Sequence, residues 1–482
     1  MQTTVESLEW NRTNGHLVRG AADSYLLHVP TTAVFGLDDM GLAVLEHCRA
    51  KGGLSVDELV ARLAGVYEPA RVRAFAGELR TLEILQPAGS LRPINPAAVE
   101  VRSYPLSTLV LNVNTGCNLS CTYCYKEDLT KPALGVKMDF VTAARSVDLL
   151  LKAGAARERL NIVFFGGEPL TNVPLIKQVT AYARAEAERA GKAMDFSLTT
   201  NATLLTPELI EYFDAHRFGI SVSMDGPKAL HDRHRKSVGG RGTYEVVARK
   251  VRLLLESYRS RPVGARVTLG RGNTDVEGIH AHLRGELKFH EVGYAPVTSG
   301  DDDAHALSSE ELREVHRAFE RLGEDYRRAA LRGENNGFSN MHQLMTDLHE
   351  GRRKSLPCGA GIGLLAVDGA GDLNLCHRFT GSDLPTFGNV TTGIDGERLG
   401  AFVGQALERE GTHCQTCRIR NLCAGGCYHE SYARFGDPHH RTYHYCDLLR
   451  SWVDFGVRVY ADIQRGNPSF FARHLEPRSV LS

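Results

Sequence analysis

Three cysteines, Cys117, Cys121 and Cys124, stand in a C-x3-C-x2-C pattern within residues 114–125. That spacing can wrap three thiolates around one iron–sulfur cube. A [4Fe–4S] cluster normally takes four Cys ligands, so three local ones leave one iron open to a small molecule. Two other readings fit the same residues. They could be three ligands of a structural zinc site, or buried thiols packed as small hydrophobes. The flanking sequence bears on the choice. Leu109-Val110-Leu111-Asn112-Val113 is a short apolar run with strand character. The cysteines therefore follow a first strand, at the carboxyl end where parallel α/β sheets place their sites.

With Tyr123 just before its last cysteine, the pattern resembles the radical S-adenosylmethionine (SAM) superfamily. The resemblance implies that Cys117, Cys121 and Cys124 hold a [4Fe–4S] cluster, with Tyr123 beside the cofactor. It also implies that the amino and carboxylate groups of SAM chelate the open iron. One electron from the cluster then splits SAM into methionine and a 5′-deoxyadenosyl radical.

Strand and helix patterns alternate from Thr108 to about Val297, which argues a parallel sheet with covering helices. The expected strands are 109–113, 161–165, 195–200, 219–224, 265–269 and 292–297. The expected helices are 173–190, 207–216, 244–258 and 276–287. Six strands fit the partial (βα)6 barrel of radical SAM enzymes. Gly166-Gly167-Glu168-Pro169 follows the second strand. Its glycines let backbone approach a ligand closely, and Glu168 adds an acceptor. In the family this motif bonds the SAM amino group. Thr199, Thr200 and Asn201 end the third strand, and Ser223-Met224-Asp225-Gly226-Pro227 ends the fourth, followed by His231, Asp232 and Arg235. By resemblance Ser223 and Arg235 are candidates to hold the SAM carboxylate; Arg266 on the fifth strand is a lesser one. Each could equally be a satisfied loop residue. Asp301-Asp302-Asp303 could grip a cation or a basic substrate, but reads more simply as a solvated loop before a helix capped by Ser308 and Glu311.

The chain of 482 residues is long enough for two or three domains. Lys+Arg and Asp+Glu are equal at 57 each, so no net field favours nucleic acid or membrane. The first residues are polar, and no apolar run approaches the length of a bilayer span. The expectation is a cytoplasmic protein. Eleven cysteines without an export signal argue against a disulfide framework. Cys48 stands apart as a core thiol.

Residues 1–95 form a first unit: a hairpin of 16–19 and 24–29 around Gly20, then helices over 37–48, 55–63 and 70–85. Ser55 and Glu58 make a capping box. The pattern is winged-helix-like, and a DNA-binding role must be weighed. Asp57, Glu58, Glu68, Glu78 and Glu83 among Arg62, Arg71, Arg73 and Arg80 leave no basic stripe. The unit resembles the pyrroloquinoline-quinone-chaperone type of peptide-recognition domain. There a leader peptide pairs with the hairpin edge. Pro87, Pro93, Pro96 and Pro105 suggest a linker over 86–105.

The second cysteine cluster runs Cys358, Cys376, Cys414, Cys417, Cys423, Cys427 and Cys446. C-x2-C is also zinc-ribbon spacing, but seven cysteines divide poorly into four-coordinate sites. The full string resembles the SPASM extension, which carries two auxiliary iron–sulfur clusters. By that resemblance Cys414, Cys417, Cys423 and Cys446 hold auxiliary cluster II. Cys427 crosses back to join Cys358 and Cys376 at auxiliary cluster I. Some members have a further Cys at the position of Leu364. Its absence leaves an open iron, a non-Cys ligand such as His377, or a smaller cluster.

The three parts together, 1–95, a barrel over 106–300 with a helical linker over 301–350, and a SPASM domain over 351–482, resemble the radical SAM/SPASM peptide maturases. Layout and motif wording are nearest the quinohemoprotein amine dehydrogenase maturation type, which forms intrapeptide thioethers from Cys sulfur to the side-chain carbon of Asp or Glu. The resemblance implies a leader-bearing peptide or small subunit as substrate and a flavodoxin- or ferredoxin-type electron donor. The competing readings are a sulfatase-type formylglycine maturase, a carbon–carbon cross-linking maturase, and a non-catalytic metal scaffold that binds a peptide. The formylglycine enzymes usually want an acidic base beside the auxiliary-cluster cysteine, where this chain has His377.

Overall fold

The computed structural model of the protein describes residues 6–95, 106–125, 135–297, 304–441 and 444–475. The amino-terminal unit holds β1 (Leu8–Trp10), β2 (Gly15–Arg19), β3 (Ser24–His28), β4 (Ala33–Leu37), α1 (Asp39–His47), α2 (Val56–Leu63), α3 (Pro69–Thr81) and β5 (Leu85–Pro87). Ser55 and Glu58 cap α2 reciprocally. β2, β3 and β4 make an antiparallel sheet, and β1 pairs with β5. Two local expectations are corrected. The third helix stops at Thr81 instead of running to residue 85, because Glu83 adopts a positive φ of 53° and Ile84 and Leu85 turn into the core. Strand β4 escapes sequence reading because it is a half-exposed edge without alternation.

The barrel begins with β6 (Thr108–Asn114), buried at every residue, as a central parallel strand must be. It continues through α4 (Phe140–Ala153), β7 (Arg159–Gly166), α5 (Val173–Arg189), β8 (Ala193–Thr200), α6 (Pro207–Ala215), β9 (Gly219–Ser223), α7 (Lys228–His234), α8 (Tyr244–Ser257), β10 (Val263–Leu269), α9 (Val276–His280) and β11 (Glu291–Pro296). The predicted helix over 276–287 is α9 followed by a π-helical turn, Ala281–Glu286. Next come α10 (Ser309–Leu331) and α11 (Ser339–His349), whose Tyr326, Met341 and Met345 are fully buried.

The sheet does not end with the six parallel strands. Its order is β11-β10-β9-β8-β7-β6-β12-β13, with β12 (Leu364–Val367) parallel to β6 and β13 (Leu373–Asn374) antiparallel to β12. The carboxyl-terminal region thus adds two strands to the open edge of the barrel. Leu364, where a further ligand would sit, opens β12 and pairs with Thr108. The rest comprises the two-residue strands β14 (Gly388–Asn389) and β15 (Gly393–Ile394), then α12 (Gly396–Leu407), α13 (Arg420–Cys423), α14 (Tyr428–Phe435), α15 (Cys446–Gly466) and α16 (Ser469–His474). No helix among the described residues is long and apolar enough to cross a membrane.

One side chain ties the ends of the molecule together. Arg420, on α13, is 1 % exposed. It donates to Thr13 O at 2.6 Å, Ile94 O at 2.7 Å and Asn14 Oδ1 at 3.2 Å. Burial lowers its pKa to about 10, which leaves it charged at neutral pH. Asn421 adds a bond to Val29 O at 2.8 Å. Hydrogen bonds from a charged donor contribute about 1.5–3 kcal/mol each. Arg420→Met is therefore expected to cost at least about 2 kcal/mol and to loosen the amino-terminal unit first. Hydrogen exchange would show faster exchange in residues 8–29 than in the barrel strands; uniform exchange would contradict this role.

Candidate active site

The rim of the barrel is assembled from strand ends. β6 delivers the three-cysteine loop, β7 the Gly-Gly-Glu-Pro turn, β8 Thr200 and Asn201, and β9 Ser223. What the two glycines admit is the chain's own backbone. A Cβ at Gly166, whose φ is 146°, would lie 2.2 Å from Asn114 O, and one at Gly167 would lie 2.3 Å from Gly116 O. The turn is clasped to the cysteine loop by Gly167 N–H to Asn114 O (2.8 Å) and Glu168 N–H to Gly116 O (3.2 Å).

Glu168 is 1 % exposed and sits in a nest of donors. Its Oε1 accepts from Leu170 N (3.0 Å) and Thr200 Oγ1 (2.7 Å), and its Oε2 from Asn201 N (2.7 Å). Burial raises its pKa to about 7, against the pull of those donors. Asn201 also bonds Asn118 Oδ1 at 2.9 Å and approaches Cys117 Sγ at 3.8 Å, so β8 braces the cysteine loop.

The structure draws the cysteines into three groups. Cys117, Cys121 and Cys124 act on one another electrostatically; burial raises Cys117 to about 12 and Cys121 to about 11. Cys358, Cys376 and Cys427 form a second group. Cys414, Cys417, Cys423 and Cys446 form a third. Cys427 therefore departs from its near neighbour Cys423 and joins residues far away in sequence. All eleven cysteines are free thiols. Soft thiols gathered where burial penalises their charge are suited to a partner that takes up thiolate charge, as iron–sulfur clusters do. Among the described residues, no group of three or more His, Cys, Asp or Glu side chains is arranged to hold a single metal ion.

Two sequence candidates differ in their surroundings. Arg235 commits Nε and Nη2 to Asp225, at 2.8 and 3.2 Å. Tyr123 turns its hydroxyl to the same carboxylate, and the guanidinium lies 5.5 Å from its ring. Arg266 lies beside Ser223 in register on β10, and its guanidinium crosses Gly293, where a Cβ would stand 2.6 Å from Nη1. Ser223, Arg235, Arg266 and Tyr123 all line one cavity of about 460 Å³ with the three loop cysteines.

The chain after β13 brings His377 and Arg378, next to Cys376, to the wall of that cavity. His377 packs against Phe165, ring centroids 4.3 Å apart, and Arg378 stands 5.0 Å from the ring of Tyr125. Tyr125 also meets His429, at 5.5 Å. It is the wedge between the two cysteine-bearing regions, a role its position after Cys124 alone did not reveal. A larger cleft of about 790 Å³ lies around Arg284, Arg328 and Arg332 and contains no cysteine. The aspartate run 301–303 falls outside the described residues, as does the linker stretch 96–105; Leu85–Pro87 is strand.

Residues 111–283 match the radical SAM superfamily. The serine-type anaerobic sulfatase-maturating enzyme of Klebsiella pneumoniae is 33% identical over 353 residues, covering 69% of this chain and 84% of that protein. The chain belongs to the radical SAM superfamily. The cysteine-type anaerobic sulfatase-maturating enzyme of Clostridium perfringens is 30% identical over 154 residues, 31% of this chain and 40% of that protein. The Klebsiella aerogenes serine-type enzyme is matched over 39% of its length. In structure, anSMEcpe with bound AdoMet superposes with a TM-score of 0.60 at 18% identity, covering 77% of this chain and 99% of its own. Streptococcus suis SuiB bound to precursor peptide SuiA gives 0.50 at 14%, covering 91% and 99%. Those likenesses show the α/β radical SAM fold. Family membership implies a [4Fe–4S] cluster and SAM, and the thiol trio with its cavity fits both.

Glu168 yields a pH prediction. An acid whose folded pKa lies above its unfolded value contributes stability at low pH that is lost as pH rises through the folded pKa. Cofactor-free protein is expected to lose stability between about pH 4.5 and 7 relative to Glu168→Gln, whose stability lacks that slope. Thermal melts of both across that window check it. Parallel curves would show that Glu168 stays ionised.

Proposed function

We propose that this radical SAM enzyme is a peptide maturase that joins a substrate cysteine sulfur to the side-chain carbon of an acidic residue. The substrate would be a leader-bearing peptide or small subunit, as in the quinohemoprotein amine dehydrogenase maturation type. One observation carries the reading. Glu168 is the sole carboxylate among the described residues lining the cavity, and it is enclosed by three donors. The wall toward Cys376 instead offers His377 and Arg378, a setting for a substrate carboxylate rather than for an acidic base.

Cys117, Cys121 and Cys124 would hold the SAM-binding cluster, with Glu168 and the Gly166–Gly167 turn near the SAM amino group. Ser223 and Arg266 suit the SAM carboxylate better than Arg235, which is already engaged by Asp225. Cys414, Cys417, Cys423 and Cys446 would hold auxiliary cluster II. Cys358, Cys376 and Cys427 would hold auxiliary cluster I, with no ligand from Leu364. SAM and cluster, when bound, supply a carbon radical able to take hydrogen from an unactivated C–H bond. The barrel wall keeps that chemistry dry, and Arg378 orients the acidic side chain. The balance is one C–H and one S–H broken and one C–S formed. One hydrogen atom leaves on 5′-deoxyadenosine, the thiol proton leaves to solvent, and one electron passes to an auxiliary cluster. The open edge of β4 is the docking strand for a leader, and a flavodoxin- or ferredoxin-type protein would supply electrons in the cytoplasm.

A second reading, formylglycine formation, is favoured by the sulfatase-maturating relative covered over 84% of its length. The deciding experiment incubates anaerobically reconstituted enzyme with dithionite, SAM and a co-expressed Cys- and Asp-containing peptide. Thioether formation predicts loss of two hydrogens and a cysteine protected from alkylation. Formylglycine leaves cysteine thiols free or removes one sulfur, and carbon–carbon coupling leaves all thiols free. Cys121→Ala is expected to abolish 5′-deoxyadenosine formation. Cys376→Ala should retain it while cross-linking stops; normal cross-link yield would exclude a catalytic auxiliary cluster I. Arg378→Ala should lower cross-links per SAM cleaved by about tenfold, the worth of one charge-assisted bond.

A further inference from the structure

Asp225 and Arg235 form the most buried ion pair in the described structure, with side chains 0 % and 9 % exposed. The carboxylate is fully engaged. Oδ1 accepts from Arg235 Nη2 (3.2 Å) and Thr268 N (3.0 Å); Oδ2 accepts from Arg235 Nε (2.8 Å) and from the Tyr123 hydroxyl. Arg235 is pinned from behind as well, its carbonyl accepting from Thr243 Oγ1 at 2.8 Å. Arg235 and Cys121 line the same cavity, and Tyr123, two residues after Cys121, is gripped from both sides, its hydroxyl by Asp225 and its ring 5.5 Å from the guanidinium. The guanidinium charge favours the Cys121 thiolate against burial. Asp225 is sealed from water and Arg235 is exposed only slightly, and neither is needed to close the sheet, since strand pairing already joins β9 to β10.

Arg235 lines the cavity with Cys121, and Asp225, its counter-anion, shared with an amide and a phenol, is not among the described lining residues, so cation and anion act on the cysteine side in opposite senses with the cation on the cavity wall. In a desolvated site such a charge acts far more strongly than at the surface. Reduction adds one electron, hence one negative charge, to whatever those thiolates hold. Cluster potentials respond to nearby charge, hydrogen bonds to sulfur and exposure.

We infer that Asp225–Arg235 is an electrostatic clamp on Cys121 that sets the reduction potential of the SAM-binding cluster, Arg235 raising it and Asp225 lowering it. Both are positioning residues that act through the cysteine. The inference rests on cluster ligation by Cys121.

The test is an EPR-monitored redox titration of anaerobically reconstituted enzyme with dithionite, in Arg235→Gln, Arg235→Lys, Asp225→Asn and the Arg235→Gln/Asp225→Asn double variant. The predicted result is a lower midpoint potential for Arg235→Gln and a higher one for Asp225→Asn. The double variant should lie nearer wild type than Arg235→Gln does, and Arg235→Lys nearer still. A merely structural pair would move both single variants the same way or leave the potential unchanged, and either result overturns the inference. Should Arg235→Gln fail to hold a cluster, the Asp225→Asn and Arg235→Lys potentials decide alone: a rise in the first with little change in the second supports the clamp, and any other pattern rejects it. A wild-type enzyme that shows no cluster signal would instead strike the ligation on which the inference stands.

Discussion

The pairing of β12 with β6 is the contact on which the functional architecture depends. β6 ends in the three-cysteine loop, and β12 runs parallel beside it over four residue pairs. Ser107 and Thr108 both donate to Gly363 O, at 3.0 and 2.9 Å, which fixes the register where the strands meet. A one-residue slip would reverse every side chain of a strand buried on both faces. With that register fixed, the chain before β12 presents Cys358 and the hairpin after it presents Cys376. The side chain of Asn112, on β6, bonds Thr380, four residues beyond Cys376. Two cysteine-bearing segments that are remote in sequence are thereby joined by backbone bonds of one sheet.

The barrel was legible in the sequence because its apolar runs alternate with amphipathic segments and end in polar, glycine-bearing turns. The strands at 161–165, 195–200, 219–224, 265–269 and 292–297 appear within a few residues of their expected bounds. The three cysteine groups were readable only through spacing and family likeness; nothing local marks Cys427 as the partner of Cys358. Three features could not be read. The parallel pairing of β12 joins residues more than 250 positions apart, and four apolar residues carry no sign of their partner. The role of Asp225 hides in a turn motif until Arg235 and Tyr123 are brought to it. The glycines at 166 and 167 announce a close approach, but not that the approaching atoms are Asn114 O and Gly116 O.

Charge in the site is organised by enclosure. Glu168 and Arg235 are both buried, yet their environments differ. Glu168 is surrounded by neutral donors and has no charged partner among its hydrogen bonds. Arg235 is matched by a carboxylate that is itself shared. An unpaired buried charge is costly, so each arrangement needs its full set of partners. Arg266 and Arg378 also line the cavity. The described lining of the cavity therefore combines one acid, Glu168, with the guanidinium groups of Arg235, Arg266 and Arg378. That complement suits SAM, with its ammonium and carboxylate.

Which C–H bond is broken tests this account most directly. Peptides would carry deuterium either at the side-chain methylene of the acidic residue or at the β-carbon of serine or cysteine. The account predicts deuterium transfer into 5′-deoxyadenosine from the acidic residue and none from the others. Transfer from serine or cysteine would contradict it and establish the formylglycine reaction in its place.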